Sequence, residues 1–130
     1  MANRNFAYDH PAYLAPVFYA GQIAAGAATV QRFLAHADMI AKMARCKSVV
    51  AGTSASETVI LYKVSGTATT ALGTMTLGSS ASVNYSASVA LSDAAITQGD
   101  EIRFLSGTDA THVVACVLEA VVTPGANFTV

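Results

Sequence analysis

Between Val83 and Leu91 the chain reads Val-Asn-Tyr-Ser-Ala-Ser-Val-Ala-Leu. Val83, Tyr85, Ala87, Val89 and Leu91 share one parity, and Asn84, Ser86, Ser88 and Ala90 share the other. A period of two belongs to an extended strand with one dry face and one wet face. The wet face carries small hydroxyls in place of charges. Such a face can meet water or another protein without burying an ion. The segment therefore predicts a β-sandwich whose outer surface is suited to contact.

The same grammar recurs along the chain. Strands are expected at Val17–Ile23, with Gly21 as a bulge, and at Thr29–Ala35, where Val30, Arg32 and Leu34 oppose Gln31 and Phe33. Thr58–Val64 is rich in β-branched and aromatic residues, Ala71–Leu77 contains Gly73, and Glu101–Leu105 follows the Thr97–Asp100 turn. His112–Thr123 is apolar on both parities, as in a central strand covered on both faces or buried at a subunit contact. In Ala37–Val50, Met39, Ile40, Met43 and Ala44 fit a helical stripe, whereas Ala44, Cys46, Ser48 and Val50 alternate. The reading is a short irregular turn at Ala37–Ile40 and then a strand over Ala41–Val50. Turns are expected at Ala24–Gly26, Ser65–Gly66 and Gly78–Ser80, and a loop at Ser106–Thr111. Seven or eight short strands with regular turn signals predict an all-β, antiparallel, jelly-roll-like sandwich over residues 14–123. An extended N-terminal arm (1–13) precedes it and a short tail (124–130) follows.

Size and charge narrow the function. A chain of 130 residues fits one domain with an adequate core. Charged residues are 12% of the chain, about half the share usual for soluble domains, and the net charge is −1. Neither a general affinity for nucleic acid nor a membrane span is implied. The start, Met-Ala-Asn-Arg-Asn-Phe, lacks the order of a signal peptide, so synthesis in a cytoplasm is expected. Residues 1–50 hold five basic and two acidic side chains, and residues 51–130 hold two basic and six acidic. That asymmetry allows steering toward another copy or an acidic partner, although so few charges are well screened at a distance.

No constellation points to catalysis or to a cofactor. Cys46 and Cys116 match no metal spacing and read as two reduced, buried thiols. His36 and Asp38 would share a strand face, but no third ligand is near in sequence. Asp100 and Glu101 would point to opposite faces and serve a turn. His112 reads as a strand-end residue, His10 as part of a turn, and Tyr62 and Tyr85 as core. No serine lies in a nucleophile-elbow context, and the glycines lack phosphate-loop spacing. The arm carries Phe6, Tyr8 and Tyr13, aromatic groups that anchor in a partner's groove or fold back on their own domain.

The order of these elements resembles a known family. A strand ending Tyr62-Lys63-Val64, a Ser65-Gly66 turn, the Thr74–Leu77 strand and the alternating strand come first. The run Leu91–Ile102, with its acidic turn Gln98-Gly99-Asp100-Glu101, and the last strand Val113–Ala120 follow. Over Val17–Val122 this is similar to the jelly-roll-like sandwiches of tailed-bacteriophage virion proteins: capsid cement proteins, head fibres and tail appendages. The resemblance implies a non-enzymatic cement (decoration) protein on the capsid exterior. Such a protein is assembled in the host cytoplasm and bridges major capsid protein subunits. It implies a homo-oligomer, a trimer before a dimer, with Arg4, Phe6, Tyr8 and Tyr13 as capsid anchors. The alternative is a head-fibre or tail-appendage module that binds host surface glycan. A hydrolase on the same scaffold would need a convergent His/Asp/Glu site.

Overall fold

The structure, a computed structural model, describes residues 16–23, 30–51, 57–77, 86–106 and 112–123. Eight strands run through them: β1 (Pro16–Ile23), β2 (Val30–Leu34), β3 (Met39–Val50), β4 (Glu57–Ser65), β5 (Ala68–Leu77), β6 (Ser86–Ile96), β7 (Glu101–Ser106) and β8 (Val113–Val122). They form two four-stranded antiparallel sheets, sheet A in the order β1-β8-β3-β6 and sheet B in the order β2-β7-β4-β5. Successive strands alternate between sheets in the first half, and the second half returns to fill the gaps. That is the order of an eight-stranded jelly roll.

The alternation read in the sequence sets the two faces. In β7, Ile102 and Phe104 are fully buried while Glu101, Arg103 and Leu105 turn outward. In β4, Val59 and Leu61 point inward and Ile60, Tyr62 and Val64 outward. The inward side chains of β3 are mostly small (Ala41, Ala44, Cys46, Ser48), opposite the bulkier Leu61, Ile102 and Phe104 of sheet B. Small-against-large packing lets the layers interlock, and each fully buried Leu, Ile or Phe contributes about 1.5–3 kcal/mol.

Several expectations are corrected. Met39 and Ile40 are extended, paired with Ile96 and Ala95 on one side and Val122 and Val121 on the other. Ladder pairing on both sides overrides the helical propensity of that stretch. The irregularity falls instead at Lys42, where the register slips. Gly21 is not a bulge, since the β1–β8 register runs through it unbroken. A Cβ there would come within 2.9 Å of Phe33 Cζ, so glycine lets the two sheets approach at this edge. The strand expected to end at Leu91 continues to Ile96 through Ser92 and Asp93, both left-handed at φ 53° and 56°. Lys42 Nζ donates to Asp93 Oδ1 across this bulge at 2.6 Å.

β8 is central, as expected, but only one of its faces is covered: Val114, Leu118 and Ala120 are buried, whereas Ala115, Val117 and Val121 are half-exposed. Tyr62 is likewise half-exposed on an outer face and does not belong to the core. Tyr85 and Val83 lie outside the described residues.

One end of the sandwich is knit by the acidic turn. Gly99 takes φ 91°, which an L side chain resists. Thr97 N donates to Asp100 Oδ2 at 2.9 Å, and Gln98 N donates to Asp38 Oδ1 at 2.9 Å. Ala35 N donates to Asp100 O and Gly99 N to Ala35 O, both at 2.9 Å. The β6–β7 turn is thereby fastened to the β2–β3 connection.

Candidate contact surfaces

Because directly paired residues share a face, the register gives each outer surface row by row. On sheet A, Pro16, Val121, Ile40 and Ala95 form one row across all four strands. Phe18, Glu119, Met43 and Ala90 form the next. Of these eight side chains only Glu119 is charged, and Phe18 is 64% exposed. Glu119 Oε1 accepts from Arg45 Nε at 3.1 Å. Farther along β3 and β8 the same face becomes a shallow open depression of about 540 Å³. Ala20, Ala115, Val117, Ser86 and Ser88 line it, and Arg45 and Lys47 stand between them on β3, in register with Val117 and Ser88 and with Ala115 and Ser86.

Sheet B presents a different surface. Val30, Leu105, Ile60 and Thr74 make one row. Arg32, Arg103, Tyr62 and Ala71 make the next, and Leu34, Glu101, Val64 and Thr69 the third. Arg103 Nε donates to Glu101 Oε1 at 2.8 Å, and Arg32 Nε lies 3.7 Å from the same oxygen. Two guanidiniums in direct cross-strand register thus share one carboxylate, inside an aliphatic frame with Tyr62 alongside. Leu34 is 70% exposed at its margin.

The candidate chemical groups are dispersed. His36 bonds to Tyr19 twice: its Nδ1 lies 2.5 Å from the phenol oxygen, and its backbone N donates to that oxygen at 2.9 Å. Asp38 serves the acidic turn, and its carbonyl accepts from Thr123 N at 3.0 Å. The two residues sit in a connection and not on a strand face, and they take separate roles. Asp100 is buried in the turn and Glu101, the first residue of β7, faces outward, so the turn role expected of them holds for Asp100. Among the described residues no group of three His, Cys, Asp or Glu side chains is placed to hold a metal ion. Nor is any helix among them long and apolar enough to cross a membrane.

Cys46 and Cys116 are free, buried and directly paired across β3 and β8. Burial pushes the Cys46 thiol up to about 11, slightly offset by a backbone hydrogen bond at Ala87. Cys116 is pushed up further, first by burial and then by the neighbouring Cys46. Thiols held neutral in this way are poor nucleophiles. His112 is fully buried, not a simple strand-end residue: its Nε2 lies 2.8 Å from Ser48 Oγ.

Arg4, Phe6, Tyr8 and Tyr13 lie outside the described residues. The sequence reading missed the two-arginine cluster, because Arg32 and Arg103 are brought together only by the β2–β7 register. Its one sequence signal is the outward parity of Arg32 with Val30 and Leu34.

The sequence matches no protein-family profile and no curated protein. Among solved structures, the fold is similar to CsCBM6-3 from Clostridium stercorarium in complex with cellobiose, with a TM-score of 0.48 and 10% identity, covering 85% of this chain and 94% of that one. It is similar to the Eiger TNF of S. frugiperda, with a TM-score of 0.49 and 9% identity over 87% and 98% of the two chains. A further family 6 carbohydrate-binding module gives 0.46 and 12% over 85% and 94%.

Proposed function

We propose that this jelly roll is a structural contact protein of a tailed-phage virion, a cement protein that decorates the capsid exterior and bridges major capsid protein subunits. The observation that carries the contact role is the outer face of sheet A. Two adjacent rows spanning all four strands hold seven uncharged side chains and a single carboxylate, with no covering layer in the chain's described residues. The exposed Lys42–Asp93 ion pair sits in the bulge between the two rows on β3 and β6, and a largely apolar surface with such a polar point marks a protein–protein contact more often than idle solvent exposure. The capsid assignment rests on the family resemblance of the strand order and acidic turn.

Reinforcement of a shell follows from simple energetics. Apolar burial contributes roughly 25 cal/mol per Å² before the costs of association. Hence ~1,000 Å² buried per copy, repeated by symmetry, strengthens the seams between capsid subunits. The Pro16–Val121–Ile40–Ala95 row is suited to packing against other copies of the chain, in a homotrimer on three-fold positions. The arm, with Arg4, Phe6, Tyr8 and Tyr13, anchors in the shell. In this reading the protein is not an enzyme and needs no cofactor.

The test is the copy number in purified virions relative to the major capsid protein, by quantitative mass spectrometry. Roughly one copy per capsid subunit is expected of a protein that follows shell symmetry. A handful of copies per particle would point to a fibre or appendage, and absence from particles would overturn the virion reading.

A further inference from the structure

We infer that the outer face of sheet B is the surface that docks on the capsid, and that the capsid surface it takes is a protein patch with an exposed carboxylate set among apolar groups. The inference rests on the decoration reading and adds the face and the chemistry of the contact. Arg32 and Arg103 are direct cross-strand partners, an arrangement that is unfavourable for like charges unless an anion lies between them. Among the described residues, Glu101 is the only carboxylate in contact with either guanidinium, and its two distances are unequal, 2.8 Å to Arg103 and 3.7 Å to Arg32. Arg103 is the satisfied member, with 27% of its side chain exposed; Arg32 is the open one, at 60%. A second carboxylate delivered to Arg32 completes the alternation of charge.

The setting strengthens that demand. Tyr62 stands in register with Arg103, and exposed Leu34 stands in register with Glu101. Arginine and tyrosine within an aliphatic frame are the composition of an interface hot spot, where the partner's side chains exclude water and the charge pair gains strength.

The described sheet faces of a second copy do not supply the missing anion. Two sheet B faces would bring four guanidiniums against two carboxylates. Sheet A offers no better match, since Lys42, Arg45 and Lys47 outnumber Asp93 and Glu119 there. The charge balance of the described faces points to a different protein as the complement. The face spans four strands and three rows, on the order of 20 by 20 Å from ordinary strand and residue spacings. That is about half of the ~800 Å² per partner that a stable interface buries. It serves as one contact of a multivalent attachment.

Capsids purified from the phage that encodes this chain, grown without its gene, test the inference by co-sedimentation with the full-length protein. Arg32→Glu should weaken binding roughly tenfold or more, and Leu34→Asp should do so as well. Thr97→Glu adds a negative charge at the exposed β6–β7 turn, outside both sheet faces, and should stay within about twofold of wild type, the effect of net charge alone being small at physiological salt. Arg32 is exposed enough for its variant to fold, which an unchanged melting temperature would verify. Wild-type binding with no loss in Arg32→Glu, or equal loss in Arg32→Glu and Thr97→Glu, overturns the inference and leaves decoration standing. Wild-type protein that fails to sediment with the capsids overturns both.

Discussion

Ser48 Oγ and His112 Nε2 lie 2.8 Å apart in the interior, at the end of the sandwich where β3 finishes and β8 begins. Both residues are almost wholly buried, and His112 Nδ1 has no partner among the described residues. Among the described residues this bond is the imidazole's one compensation for leaving water. Ser48→Ala leaves both ring nitrogens without a partner among the described residues and should lower stability by about 1–3 kcal/mol. Urea unfolding checks it: the midpoint should fall while the slope stays constant. An unmoved midpoint would mean that the imidazole finds another partner.

Gly73 offers a test of packing between the sheets. A Cβ at this position would approach Leu91 Cδ2 and Val89 Cγ1, both at 2.9 Å, from the facing edge strand β6. Leucine can turn aside, but the branched valine is stiff about its first side-chain torsion. Gly73→Ala should cost about 1–3 kcal/mol by overpacking. The double variant Gly73→Ala with Val89→Ala should recover part of that loss. Additive losses in the double-mutant cycle would show that Val89 is not the obstacle.

How much of this was legible in the sequence depends on the range of the interactions involved. The alternation ending at Leu91 was readable because one face is buried, and Ala87, Val89 and Leu91 do point to the core. Its continuation to Ile96 was hidden, because left-handed Ser92 and Asp93 break the period before Ala94 resumes it. The start of β3 was obscured by local preference: Met39, Lys42 and Met43 favour helix, and only pairing with β6 and β8 decides otherwise. Tyr62 was misplaced because both parities of β4 are apolar, so the pattern does not say which one faces inward. The pairings Cys46 with Cys116 and Arg32 with Arg103 depend on long-range register, which a single sequence does not display.

The paired thiols should make the fold sensitive to alkali. In the unfolded chain a cysteine ionises near 9, whereas folded Cys46 holds its proton up to about 11. Between those values the native state binds more protons than the unfolded state, so stability falls as pH rises. A displacement of this size corresponds to about 2–3 kcal/mol from Cys46, and the raised Cys116 acts in the same direction. Stability measured from pH 8 to 11 should decline more steeply in the wild type than in the Cys46→Ala/Cys116→Ala double variant. Below pH 8 the two curves should run parallel. Parallel curves over the whole range would show that neither thiol is perturbed. Native protein should also resist a thiol-reactive disulfide reagent at pH 8 and react on denaturation.

The arm and sheet B are expected to act as two linked contacts on the shell. Deletion of residues 1–13 should abolish capsid co-sedimentation while leaving the melting temperature unchanged, since those residues precede every described strand. Phe6→Ala, Tyr8→Ala and Tyr13→Ala should each weaken binding less than the deletion, as hot-spot anchors share the load unequally. Linked contacts raise the local concentration of the second once the first is made. A peptide of residues 1–13 supplied separately should therefore compete far more weakly than the intact protein does. If the deletion binds as the wild type does, the aromatic anchors belong to the domain itself, and attachment rests on the sandwich faces alone.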